Sequence, residues 1–294
     1  MQIGTFVPFV SGYATPAFVI EAARAAEQAG FHSIWAPEHV LLFDEYASRY
    51  PYTEDGRLRI GSDGGVLEPF NLLSFIAGAT SRIRLGTGIC LVPQRNPVYT
   101  AKEVATLDYL SGGRVDFGVG IGWLAEEFAA LGVPWARRGA RTRAYLEVMQ
   151  RLWCDPVSSY DGEFYQLPPS RQFPKPVQQP HPPIHFGGES DAALRRVAAI
   201  GQGWFGYALT PDEAAAHVQR LTVLLEKRGR ARDEVFISIA PNTRGLDAAI
   251  VEAYQRAGVD QLILAGRGRS APEFLDSLIQ LGRTVIEPHA TLQP

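Results

Sequence analysis

His39 directly follows Glu38 at the point where a short apolar run, Ser33 to Ala36, gives way to Pro37. An imidazole titrates near working pH and can donate or accept, so His39 is the best single candidate for proton chemistry or for polarising a bound ring. Taken alone, it reads as well as a histidine on a surface junction. Glu38 is open between acid–base work and a cap or ion-pair role. Gly187, Gly188, Glu189 and Ser190 stand where another apolar run ends and helical spacing begins. Free N–H groups and a hydroxyl there would converge on the positive end of a helix dipole, which suits a phosphate. The same residues also describe an ordinary helix start. A third set is a series of glycines at two further run ends, Gly86 and Gly88, then Gly118, Gly120 and Gly122 with Ile121 between the last two. Glycine lets a flat ligand lie against bare backbone, so this unit is predicted to be the floor of a cofactor pocket. Trp123 follows it, where a ring can stack on a cofactor or wall a substrate pocket.

Other chemistries find little support. No HxH, HExxH or Cys/His spacing suggests a metal, and no GxSxG elbow or cysteine with a placed base suggests covalent hydrolysis. Residues Gly118 to Gly122 lack the third glycine and the acidic partner of a dinucleotide fingerprint. A net charge of −3 with mixed signs argues against a nucleic-acid partner. The arginines at 137, 138, 141 and 143 read first as a solvated helix face, although Arg138 or Arg141 could reach a phosphate or polyanionic tail. Two cysteines in 294 residues are too few for a disulfide scaffold, and a cytoplasmic location is expected. The N-terminus has no charged leader, and no apolar run approaches the roughly 20 residues of a membrane span.

The elements that must position these residues alternate strictly. Apolar runs at Ile3–Val7, Ser33–Ala36, Ile83–Val92, Val115–Ile121, Ile184–Gly188, Gly203–Gly206, Val235–Ala240 and Gln261–Ala265 are predicted strands. Between and after them, helical spacing covers Pro16–Gly30, Glu68–Ala79, Pro97–Leu110, Arg138–Cys154, Ser190–Ile200, Pro211–Arg228, Asp247–Ala257 and Pro272–Leu281. Eight such alternations imply a parallel sheet closed into an α/β TIM barrel, (β/α)8, with residues 1–294 as one domain. Residues 41–67 lose periodicity and are rich in tyrosine, glycine and charge, as expected of a lid over the active-site face. A hairpin around Asp161-Gly162 and a stretch from Pro168 to Pro183 with seven prolines form a second insertion.

Three stretches, AEQAGFHSIWAPEHV, RIRLGTGICLVPQRNPVYTAKEVATLDYLSGGRVDFGVGIGW and PPIHFGGESDAALRRVAAIGQGWF, together resemble the bacterial luciferase-like superfamily. Within it, the chain is most similar to the branch that uses the deazaflavin coenzyme F420. The resemblance implies an oxidoreductase on a (β/α)8 barrel that moves a hydride between F420 and a small organic molecule. It implies a non-proline cis peptide at Gly88–Ile89, with the backbone there and at Gly120, Ile121 and Gly122 pressing on the ring. It makes His39 the active-site histidine, Glu38 its neighbouring carboxylate, and Gly187 to Ser190 the phosphate loop. Sugar-phosphate dehydrogenases of this group carry a glutamate immediately after the GVGxG run; here that residue is Trp123. The departure makes a phosphorylated sugar a poor substrate candidate, favours an apolar or aromatic one, and leaves His39 without its usual acid partner. An FMN-dependent monooxygenase using reduced flavin and oxygen is the alternative, and a cofactor-binding protein without turnover is a third reading. The resemblance also implies a homodimer.

Overall fold

The computed structural model describes residues 1–6, 14–58, 64–241, 248–268 and 270–290. Its strands are β1 (Gln2–Phe6), β2 (Ser33–Ala36), β3 (Arg84–Thr87), β4 (Cys90–Leu91), β5 (Val115–Gly120), β6 (Ser158–Asp161), β7 (Gln166–Ser170), β8 (Ile184–Gly187), β9 (Gly203–Leu209), β10 (Phe236–Pro241) and β11 (Gln261–Ala265). Its helices are α1 (Pro16–Gln28), α2 (Pro69–Ala77), α3 (Pro97–Ser111), α4 (Ala125–Ala130), α5 (Arg138–Cys154), α6 (Asp191–Ile200), α7 (Pro211–Glu226), α8 (Ala248–Arg256), α9 (Ala271–Leu281) and α10 (Glu287–Ala290). The expected end of the first strand at Val7 and the expected helix start at Asp247 lie outside the described residues.

Parallel pairing runs β3–β2–β1–β11–β10–β9–β8–β5 and closes through β3 against β5, with Leu85 opposite Val115 and Gly86 opposite Asp116. This is the (β/α)8 barrel that the alternation implies. The expected third strand, Ile83 to Val92, is split. After Thr87 it leaves the ladder at the cis peptide Gly88–Ile89, and it returns as β4, where Cys90 pairs with Val119. Around the barrel, caps act where the sequence places them. The Thr15 hydroxyl accepts from Phe18 N at 3.2 Å, and the Asn96 carbonyl from Val98 N at 3.0 Å. The hairpin is wider than a two-residue turn, since β6 and β7 pair Asp161 with Gln166 and leave 162–165 as the loop.

The barrel interior explains several glycines. Trp35 is fully buried, donates Nε1–H to the Ser33 hydroxyl at 2.8 Å and packs on Phe205 with ring centroids 5.1 Å apart. A methyl on Gly86 would fall within the Trp35 ring, and one on Gly118 would meet the Thr87 carbonyl with Trp35 beyond it. Gly86 therefore makes room for the indole and Gly118 chiefly for the neighbouring Thr87 carbonyl, not for a ligand, because strands packed this closely leave no volume for a Cβ at either place. Gly86→Ala should cost about 1–3 kcal/mol by overpacking. In a Trp35→Leu background most of that penalty should vanish in urea unfolding; an equal cost in both backgrounds would show that Trp35 is not what fills the space.

Candidate active site

His39 lies just beyond β2, and its ring is held from below by a carboxylate that the sequence reading missed. Glu127, in the first turn of α4, is fully buried and its Oε2 lies 3.2 Å from His39 Nδ1. The same carboxylate accepts from Gln94 Nε2 at 3.0 Å, and its Oε1 accepts from the backbone N–H groups of Val40 at 2.6 Å and Leu41 at 3.1 Å. Burial alone would raise its pKa, but the His39 hydrogen bond and charge, with Gln94 and the Leu41 N–H, hold it below the ordinary carboxylate range. An ionised Glu127 fixes the ring's orientation and favours the tautomer with hydrogen on Nδ1. His39 therefore has a carboxylate neighbour, but one held ionised, which orients the ring and is not the proton-donating glutamate that stands after the GVGxG run in the sugar-phosphate dehydrogenases. The carboxylate stands four residues after Trp123, one helical turn away from where it was sought. Its signal was the acidic pair Glu126-Glu127 opening a helix directly after the strand-end glycines.

Glu38 has a different environment. It is 5% exposed, takes the Arg95 guanidinium at 2.6 Å from Nε and also accepts from the Leu91 N–H. Arg95 continues to Glu68 and to Glu103, so the cluster ties the end of β2 to β4, α2 and α3. Glu38 does not line the cavity on which His39 opens. The structure makes it a pin for the split third strand, beside His39 but turned away from it.

Trp123 and His39 meet edge to face with centroids 5.8 Å apart. Both line a cavity of ≈ 330 Å³ whose other walls include Val40, Leu41, Leu42, Phe43 and Leu124. Of the loop expected to be a lid, residues 59–63 lie outside the described residues, and Asp44, Tyr46, Leu58, Gly64, Gly65 and Val66 add to the cavity wall. The Ala47 and Ser48 N–H groups bind Glu126 at 2.6 and 3.1 Å, and an aromatic series runs Trp123–Tyr50–Tyr52–Tyr207, with centroids 4.7–5.4 Å apart. The Tyr52 hydroxyl donates to Glu189 at 3.1 Å, and Glu189 also accepts from Tyr207 N at 2.8 Å. Burial raises the Glu189 pKa against these two bonds, and burial together with Glu189 raises that of Tyr52.

The remaining predicted residues lie along the mouth. The Ile89 side chain covers Gly120 and Gly187, since a methyl on either would collide with it. Bare backbone is therefore not the floor at those two positions, and an isoleucine side chain is. Ile121 is half-buried; Gly122 and Gly188 hold φ of 76° and 102°, which disfavour any residue with a Cβ. Ser190 caps α6 by accepting from Ala193 N at 3.2 Å. The structure brings His39, Trp123 and the cavity together, and groups Ile89 with Gly120 and Gly187. The phosphate-loop residues and Gly88 do not line the His39 cavity. Among the described residues no group of His, Cys, Asp and Glu could hold a metal ion, and no helix is long and apolar enough to cross a membrane.

Known proteins place this geometry. The uncharacterized protein Rv0953c of Mycobacterium tuberculosis is 40% identical over 184 residues, which are 62% of this chain and 65% of that protein, so the match spans slightly less than two thirds of that relative. The coenzyme F420 dependent tetrahydromethanopterin reductase from Methanopyrus kandleri superposes with a TM-score of 0.76 at 19% identity, covering 98% of this chain and 99% of that one. Monooxygenase RslO1 from Streptomyces bottropensis superposes with a TM-score of 0.76 at 20% identity, covering 99% and 100%. At these identities the two structural likenesses establish the barrel and not the reaction. The model of the luciferase-like monooxygenase family matches residues 1–274, and the chain belongs to that family.

Proposed function

We propose that the chain is an oxidoreductase that transfers a hydride between coenzyme F420 and a small apolar or aromatic organic substrate. The observation that carries this reading is His39, fixed by a buried carboxylate and opening with Trp123 onto a cavity whose walls are aliphatic and aromatic side chains together with Asp44, Gly64 and Gly65. The apolar part of that wall desolvates an apolar molecule, and among the described residues the cavity offers no cluster of cations for a sugar phosphate.

The residues at the mouth fit a flat cofactor with an anionic tail. Ile89 offers an apolar surface beneath a ring, and Gly88, Gly120, Ile121 and Gly122 would edge it. Gly187, Gly188 and Ser190, at the opening of α6, would receive the phosphate. Glu189 fits least well, because Tyr52 and Tyr207 already occupy its carboxylate. The Tyr50–Tyr52 stretch rests on Tyr207, which, like Ile89 and Phe6, packs against the upper barrel core. When bound, the cofactor supplies two-electron hydride chemistry. His39 then holds or moves a proton through Nε2, Glu127 keeps the imidazole aligned, and Trp123 with the lid excludes water.

The family's description as monooxygenase supports the second reading, an FMN-dependent monooxygenase. Titrating the purified protein with F420 and with FMN, followed by fluorescence quenching, separates the two. F420 is expected to bind; micromolar FMN affinity with no response to F420 would overturn the first reading. Offering reduced F420 with a panel of enones and quinones then distinguishes an enzyme from a cofactor-binding protein, since only the former oxidises it.

A further inference from the structure

Arg138 opens α5 and Arg196 lies in the second turn of α6; these helices follow the neighbouring strands β5 and β8 to the same rim of the mouth. The Arg138 guanidinium stacks 3.6 Å from the centroid of Trp135, and its Nε donates to the Gly122 carbonyl at 3.3 Å. Arg196 reaches across to the first turn of α5, where a methyl on Gly139 would stand 3.6 Å from its Nη1. No side chain caps α5, at whose first turn the two guanidiniums lie. Neither guanidinium pairs with a carboxylate among the described residues. The nearby acids are engaged elsewhere: Glu163 with Arg137, Asp191 with Arg220, and Glu189 with Tyr52 and Tyr207. Arg141, the other cation considered for this role, is 5% exposed; it donates from Nη2 to the Pro134 carbonyl and keeps a buried Nε without a partner.

Two half-buried guanidiniums side by side repel and lose hydration. Burial lowers the pKa of each, and for Arg196 the charge of Arg138 adds to the effect. An anion between them removes both costs, and guanidinium matches phosphate oxygens in geometry as well as charge. We propose that Arg138 and Arg196 form a two-arginine clamp for the phosphate of the bound cofactor, supplementing the loop from Gly187 to Ser190. This rests on the cofactor reading above, and it adds residues that reading does not contain.

The test compares F420 with a deazaflavin cut back to its ribityl alcohol, in the wild type, Arg138→Gln, Arg196→Gln and Arg196→Lys. Each glutamine variant should weaken F420 about 10- to 100-fold while leaving the shortened ligand unchanged, and Arg196→Lys should retain part of the difference. Unchanged F420 binding, or an equal loss for both ligands, overturns the clamp. If no protein binds either ligand, the cofactor reading has failed separately, and the same four proteins are melted with inorganic pyrophosphate. A rise in melting temperature confined to the wild type and Arg196→Lys upholds the clamp. No rise, or the same rise in all four, overturns it.

Discussion

Turnover in His39→Ala should fall by about 100- to 10,000-fold, the range expected when a positioned proton carrier is removed. The affinity for cofactor should change far less, because in the proposed reading Ile89 and the rim glycines, not His39, would form the surface beneath the ring. Loss confined to kcat marks His39 as a group that acts in the chemical step; loss confined to KM would make it a binding residue, and a variant with full rate would remove it from the mechanism. Glu127→Gln is the companion. It keeps an oxygen for the Val40 and Leu41 N–H groups but removes the charge that faces Nδ1. Turnover should fall less than in His39→Ala while the lid stays anchored. The pH dependence has a definite sign. The folded pKa of Glu127 is depressed below 4.5, so its hold on the imidazole is complete above that pH and is lost as pH falls through the lowered value. In Glu127→Gln that acid limb should be absent.

The barrel was legible because each strand and helix carries its own local signal. Thr15, Asn96 and Ser190 cap helices at the predicted places, and the apolar runs were buried on both faces as their composition implied. The glycines were legible as unusual but were assigned the wrong neighbours. Gly86 accommodates Trp35, whose strand lies about fifty residues away in the chain, Gly118 the Thr87 carbonyl, and Gly120 and Gly187 accommodate Ile89. Nothing local announces which side chain will fill the space a missing Cβ leaves. The partner of His39 was hidden for the same reason. The Trp123 departure was visible, but that a carboxylate one turn later would swing back to the imidazole depends on how α4 docks against the loop after β2. The lid's composition showed a loop; its closure depends on Glu126, Glu127 and Glu189, which lie 78 to 137 residues from the groups they hold.

Asp116→Ala should destabilise the protein by about 3–5 kcal/mol, because it strips the partner from a charge inside the barrel. Asp116 is 5% exposed and accepts two bonds from Arg84, 2.8 Å from Nε and 2.6 Å from Nη2, with His185 Nε2 at 3.7 Å. Arg84, whose side chain is 25% exposed, also donates to the Val115 carbonyl and to Gln178, so part of its position is set independently of the carboxylate. Burial alone would raise the Asp116 pKa, but His185 and the bidentate Arg84 hold it well below the usual carboxylate range. Its stabilising contribution is therefore complete above the unfolded value of about 3.9, and is lost as pH falls from there through the lower folded value. Chemical unfolding should show that acid dependence in the wild type and lack it in Asp116→Ala. Arg84→Met/Asp116→Leu should cost much less than the sum of its single changes, since no unpaired charge remains. The pair sits at the amino ends of β3 and β5, away from the mouth, so cofactor affinity in the double variant should match the wild type at temperatures where both are folded. A large loss of affinity there would mean that the polar base of the barrel sets the shape of the site above it.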